Sequence, residues 1–239
     1  MSNFFPDTRW SLVKMARDPR TEVAERALEE LWSIYEIPIR KTLQRTCPRG
    51  LDPDDLVQDF FLHSRRSKVF ERADNNIGSL RSYLGKILEN FLRTKIKFEK
   101  RECRDRSRLV HIEDIRTDGE FPPEEWDGEQ FYRVYDREWA TDLVRSVRGK
   151  LQDRYRARGK EELFLRLFPF IGTATGEITD ELEAIETDLS VSKEHLSVLR
   201  SRMRKRFQIA FAEAVRETLP AGEDWEDESK YLRRVLAES

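Results

Sequence analysis

The chain has 239 residues, with 44 Lys and Arg against 46 Asp and Glu and a net charge of −2. Charged and hydrophobic residues each make up 38%, and mean hydropathy is −0.73, which leaves room for one large domain or two small ones and argues against wholesale disorder. Two isolated cysteines, Cys47 and Cys103, and three scattered histidines exclude a disulfide framework or a zinc cluster. The N-terminus lacks an apolar signal core and no apolar run approaches a membrane span, so a cytoplasmic chain without a membrane partner is expected. No nucleophile–base constellation or phosphate-binding glycine loop appears. The expectation is therefore a protein without cofactors that is not an enzyme.

The near-zero net charge hides segregation. Residues 86–108 hold nine Lys/Arg against four Asp/Glu, residues 109–130 one against eight, and residues 193–206 six against one. Such blocks suggest separate surfaces with separate partners.

Residues 1–20 read as a lead-in, with Trp10 a packing residue. A helix is expected over Thr21–Thr46, where Ala24, Leu28, Leu31, Tyr35 and Ile39 keep a 3.6-residue period and Pro38 should kink or split the helix. Residues 47–50 form a turn. Asp52-Pro53 then marks a helix start, with Asp52 as N-cap and Pro53 at the first helical position. Asp54 and Asp55 sit in the first turn, where the helix dipole favours negative charge. Leu56 with Phe60 and Val57 with Phe61 make one face apolar, while Asp55, Gln58, Asp59 and Leu62 lie along a neighbouring face. On their own these polar residues read equally as a solvated helix face.

Asn75, Asn76 and Gly78 break the helix, and Ser79 can cap the next one. In that helix Leu80, Tyr83, Leu84, Ile87, Leu88, Phe91 and Leu92 hold the helical period before the segment turns basic. Tyr83 falls on the apolar stripe and reads as core, whereas Phe98 lies among basic residues. Residues 109–130 are acidic, aperiodic and punctuated by Gly119, Pro122, Pro123 and Gly128, which reads as a linker. Helical pattern resumes over 131–171, with Trp139, Leu143, Val147 and Leu151 in one stripe and Leu163, Phe164, Leu167 and Phe168 in another. Gly159 separates the two.

Two further helices have helix-turn-helix spacing. One, about 179–188, turns Leu182, Ile185 and Leu189 inward. The other, about 193–219, is capped by Ser192 and carries Leu196, Leu199, Met203, Phe207, Phe211 and Val215 on one face. The tail after Pro220 is acidic and ends in a short helix, which could fold back over the basic helix as a mask.

The order of these elements carries a resemblance. DDLVQDFF, a polar loop, then SLRSYLGKILENFLRTKIKFEKR is similar to region two of bacterial RNA polymerase sigma factors, above all the small extracytoplasmic-function (ECF) group. Thr8–Val13 resembles the entry segment of some members. The stretch from Asp136 to Ile171 is similar to the start of region four in one ECF subgroup. The resemblance implies an all-α chain of two small helical domains joined by an acidic linker. Residues 1–108 would be a three-to-four-helix region-two bundle, 109–130 the linker, 131–219 a region-four domain with the helix-turn-helix, and 220–239 an acidic tail.

It also implies roles. Asp54, Asp55, Gln58, Asp59 and Leu62 would dock on the clamp of core RNA polymerase, with the flap as a second contact. Asn75 and Asn76 would help read a flipped −10 base, although each reads equally as a turn residue. Arg81, Lys86, Asn90, Arg93 and Lys97 would contact the phosphates or base edges of −10 DNA, with Lys95 beside them. Arg65, Arg66 and Lys68 would reach phosphates near the loop, and Phe98 would stack on an unpaired base. Ser192, Lys193, Glu194, Ser197, Val198, Arg200 and Ser201 would face duplex −35 DNA, with Arg204 and Lys205 as backbone anchors.

The linker in this family threads the polymerase near its template and RNA-exit channels, where acidity can mimic nucleic acid; a purely solubilising role is equally open. This sequence departs from the pattern in two places. Glu177, Asp180, Glu181, Glu183, Glu186 and Asp188 crowd the first helix of the pair, and Ser190 stands where the turn often has glycine. Negative charge there opposes phosphate approach, so an anti-sigma or recruiting protein is a possible partner. Three alternatives stand beside this reading. One is a helix-turn-helix regulator acting without polymerase, and another a sigma variant recruited by a protein in place of −35 recognition. The third is a nuclease using Asp54, Asp55 and Asp59, whose place in the first turns of a helix is already explained by capping.

Overall fold

A computed structural model describes residues 9–47, 51–74, 78–109, 127–172, 180–189, 192–220 and 222–238, with side chains throughout except at 100–109, 180, 181 and 189. The described residues are all-helical. Asn75, Asn76, Glu177 and Ser190, and most of the acidic linker, lie outside them.

The elements are α1 (Arg9–Met15), α2 (Thr21–Thr46), α3 (Pro53–Arg66), α4 (Val69–Arg72) and α5 (Leu80–Leu109), then α6 (Gly128–Arg156) and α7 (Glu161–Leu167). A 3-10 turn at Phe168–Phe170, α8 (Asp180–Leu189), α9 (Lys193–Arg216) and α10 (Trp225–Ala237) complete the chain. No helix among the described residues is long and apolar enough to cross a membrane.

Contacts divide the chain into two units, Met1–Thr141 with Arg216–Ser239, and Asp142–Val215. This division differs from the boundaries read in the sequence. The first half of α6 belongs with α1–α5, so both flanks of the acidic segment fall in one unit. The tail helix α10 belongs there too.

In the first unit α2 runs unbroken through Pro38. The proline removes the donor that would bond the Ile34 carbonyl, but burial of Ala27, Leu31, Tyr35, Ile39 and Leu43 along one stripe holds the helix. Of the expected stripe, Ala24 and Leu28 are only half-buried. Phe60 and Phe70 pack around Trp32, with ring centroids 6.3 and 5.1 Å away. Phe60 also meets Phe91 of α5 at 5.2 Å. Each fully buried large apolar side chain contributes about 1.5–3 kcal/mol relative to exposure. Trp10 is 6% exposed, consistent with a packing role.

α6 approaches α5 closely. A Cβ added at Gly85 would lie 2.8 Å from the Tyr135 ring, so glycine permits this helix contact. Buried carboxylates on α6 and α5 fasten the bundle: Glu138 accepts Arg45 of α2 at 3.1 Å, and the Tyr132 hydroxyl donates to Glu89 of α5 at 3.0 Å.

In the second unit Trp139's stripe continues as buried Leu143, Val147 and Leu151. Gly159 adopts φ +65 and separates α6 from α7, as its position between the two patterns suggested. Phe164, Phe168, Phe207 and Phe211 form a chain of ring contacts at 4.9 to 6.1 Å linking α7, the 3-10 turn and α9.

Candidate functional site

The α3 start is built as the sequence suggested. Asp52 Oδ1 accepts the backbone N–H groups of Asp54 at 2.8 Å and Asp55 at 3.2 Å, and Pro53 occupies the first turn. Leu56, Val57 and Phe60 are buried, so the helix turns Asp54, Asp55, Gln58 and Leu62 to solvent. Two of the five candidate docking residues are engaged within the chain. Asp54 pairs with Arg40 of α2 at 3.2 Å, and Asp59 holds Lys95 of α5. Asp55, Gln58 and Leu62 remain as the outward face.

Beside them α2 and α3 enclose a groove of about 330 Å³ lined by Trp32, Ile39, Val57, Phe61 and Leu62. Leu62 is 48% and Ile37 43% exposed. The side chains are apolar and rimmed by charge, and the helical period alone did not reveal that Trp32 and Phe61 would meet at 4.8 Å.

Along α5 the candidates separate. Ser79 caps the helix, accepting the Ser82 N–H at 3.1 Å. Arg81 is a correction: it is 7% exposed, and its guanidinium binds Asp136 of α6 and Glu228 of α10. Asp136 and Glu228 hold its charge, against the burial penalty, so it stays protonated at any accessible pH. It is not available to a phosphate.

Lys86 and Arg93 remain largely exposed, although both lean on the buried Glu89, at 2.9 and 3.6 Å. Burial would push the Glu89 carboxyl up, but Lys86, the Tyr132 hydroxyl and Arg93 hold it below the usual carboxylate range. Asn90 and Lys97 are exposed, and Phe98 is 57% exposed. Tyr83, expected in the core, is only half-buried, and it donates its hydroxyl to the Val69 carbonyl at 2.8 Å.

A cavity of about 420 Å³ opens between the end of α3, α4 and α5, lined by His63, Ser67, Val69, Arg72, Tyr83, Ile87, Asn90, Phe91, Thr94 and Lys95. Of the candidate −10 residues it takes in Asn90 and Lys95. His63, Arg72 and Thr94 were missed, because α4 brings Arg72 to the cavity and no sequence period marked that short helix.

In the second unit Ser192 caps α9, accepting the His195 N–H at 3.3 Å. Glu194's own backbone N–H and the Ser192 hydroxyl lower its carboxyl pKa. Ser192, Lys193, Glu194, Ser197, Val198, Ser201 and Lys205 are exposed. Arg200 is the second correction: at 6% exposure it lies with Leu196 and Met203 on the buried face. Arg204 is half-buried and donates to the Ile171 carbonyl. Arg202, not singled out in the sequence, is exposed. One turn separates it from Val198 on the same face, and that spacing could have marked it.

On α8, Leu182 and Ile185 are buried as expected, while Glu183 faces solvent. Arg166 of α7 binds both Asp188, at 2.5 Å, and Glu162, at 3.0 Å, so part of the α8 charge is compensated internally. Among the described residues no group of His, Cys, Asp and Glu could hold a metal ion. Searches against protein-family models, curated proteins and solved structures gave no match to this chain.

Proposed function

We propose that the chain acts as an ECF-type sigma factor that binds core RNA polymerase, brings it to promoters and helps open the −10 element. The observation that carries this reading is the pairing of two surfaces in one helical unit. The capped α3 presents Asp55, Gln58 and Leu62 beside an apolar groove, a mixture suited to docking on a protein. The neighbouring α5 presents Lys86, Asn90, Arg93, Lys97 and Phe98, a mixture suited to unpaired nucleic acid.

In this reading the cavity beside Asn90 receives a splayed-out base, since its volume and apolar walls suit a planar ring. The exposed start of α9 meets duplex DNA, with Lys193, Arg202 and Lys205 taking the phosphate contacts that buried Arg200 cannot. Nothing in this role requires the chain to catalyse a reaction.

The test is capture of purified core polymerase by the full-length chain. A stable, stoichiometric complex supports the reading. Binding to duplex DNA with no retention of core polymerase would favour a regulator that acts alone.

A further inference from the structure

We infer that a groove of about 1260 Å³ between α6 and α10 is a binding site for a nucleoside polyphosphate. The site stands apart from the function proposed above, because it uses neither the outward face of α3, nor the basic face of α5, nor α9.

The groove lining is graded in charge. Asp127 and Glu129 at the start of α6 and Glu238 just after α10 supply carboxylates. Arg133 and Arg137 of α6 and Arg234 of α10 supply guanidiniums from the next turns inward. All six residues are exposed. Arg133 and Arg137 stand one turn apart, where like charges repel. Neither holds a carboxylate among the described residues, although Glu129 lies one turn before Arg133. Elsewhere in the same unit Arg40, Arg45, Arg81 and Arg93 each have a carboxylate partner. Arg234 reaches Glu238 only at 4.0 Å, with both side chains in water.

Two aromatic rings line the same groove and are fixed from behind. The Tyr132 hydroxyl donates to Glu89 at 3.0 Å and the Tyr231 hydroxyl donates to Asp136, so both rings are half-buried and held in place. The Arg234 guanidinium carbon lies 5.5 Å from the Tyr231 ring centroid. Little order therefore has to be gained on binding.

Each part of the lining matches one part of a nucleotide. Guanidiniums bind phosphate oxygens through paired N–H bonds. Carboxylates accept from ribose hydroxyls and from base amino groups. A tyrosine face stacks on a base. A polyphosphate concentrates its charge where the three arginines are, whereas a nucleic-acid strand spreads one charge per nucleotide. An inorganic anion would leave the carboxylates and rings unused. The volume exceeds the roughly 300–1,000 Å³ of small-molecule sites, which leaves room for water around the phosphates. Because α6 and α10 both contribute, a bound nucleotide also ties the tail helix to the bundle.

The experiment is isothermal titration calorimetry of the full-length protein without divalent cations, using ATP, GTP and inorganic triphosphate as separate probes. Thermal unfolding of each variant runs in parallel. ATP or GTP should bind saturably, one per chain, and more tightly than triphosphate. Arg133→Gln, Arg137→Gln and Arg234→Gln should each weaken that binding about tenfold. Tm without ligand should stay unchanged, because these side chains are exposed. Glu129→Gln combined with Glu238→Gln should weaken the nucleotide but not triphosphate. That split is what a site with a phosphate end and a nucleoside end requires. No saturable binding of either nucleotide would overturn the inference. Triphosphate binding as tightly as the nucleotides, with the glutamate variants indifferent, would also overturn it and leave a plain anion patch. Nucleotide binding that survives loss of all three arginines would place the ligand elsewhere and overturn this site.

Discussion

The Arg81 guanidinium of α5 and the Glu228 carboxylate of α10, 147 positions apart, meet at 3.0 Å in a nearly water-free setting. The same guanidinium binds Asp136, which also accepts the Tyr231 hydroxyl, and the Tyr135 hydroxyl donates to the Arg81 carbonyl at 3.0 Å. Arg81 also lies 5.3 Å from the Tyr231 ring centroid. With Ser229 and Leu232 fully buried, α10 is a structural part of the first unit, and the tail contacts α5 and α6 there.

Removing one member of such a network leaves the others buried and uncompensated. Arg81→Met should therefore cost about 3–5 kcal/mol of stability. Combining it with Asp136→Asn and Glu228→Gln should restore a large part of the loss. Urea unfolding of the single and triple variants measures this; a neutral Arg81→Met would mean that α10 is only loosely held.

Alkaline pH should loosen the same region. Burial, helped by the Glu89 carboxylate, pushes the Tyr132 hydroxyl up to about 12. Burial and the Asp136 carboxylate do the same for Tyr231, also to about 12. A pKa raised on folding means that the native state holds its proton more tightly. Stability from these tyrosines is thus complete below the ordinary value of about 10 and drains away between about 10 and 12. Chemical denaturation at pH 9, 10 and 11 should show a progressive fall that Tyr132→Phe with Tyr231→Phe reduces. An equally steep fall in the double variant would exclude these groups.

How far the sequence was legible follows from which forces act locally. The Asp52 cap, the Ser79 and Ser192 caps, the Gly159 break and the helical stripes are read from neighbours a few residues apart, and the helices form at those places. Arg81 and Arg200 were misplaced for a physical reason. A basic residue within a basic helix reads as exposed, and its burial depends on carboxylates or packing from distant elements, as Asp136 and Glu228 show for Arg81. Pro38 was expected to kink or split α2, but the buried stripe from Ala27 to Leu43 outweighs one missing hydrogen bond and the helix is not split. Nothing local in GEDWEDES announced that Glu228 would be drawn into a buried ion pair. Pattern also could not show that Asp59 would turn to Lys95 while Asp55 stayed outward.

If the outward face of α3 docks on polymerase, Asp55→Ala with Gln58→Ala should weaken core binding about tenfold or more. Both residues are exposed, so stability should shift by no more than about 0.5 kcal/mol for each. Titration of labelled protein with core enzyme, with circular dichroism as the folding control, gives the answer. Unchanged affinity would remove this face from the docking surface.

The corrected α9 face makes a different demand. Arg202→Ala and Lys205→Ala should each reduce the salt slope of duplex binding by about 0.9 if each touches one phosphate. Arg200→Ala should instead lower stability and leave that slope alone, because its side chain is buried. Fluorescence anisotropy over a salt series checks all three, and a slope change confined to Arg200→Ala would mean that α9 turns its opposite face to the duplex.

The most direct measurement is transcription in vitro with purified core RNA polymerase and a library of promoter-length genomic fragments. The proposed function requires transcripts that depend on this chain, with permanganate-reactive thymines at the melted −10 region, and requires both to fall sharply with the Asp55→Ala, Gln58→Ala protein. Duplex fragments bound by the chain, with no associated core enzyme, no open region and no transcript, would contradict it.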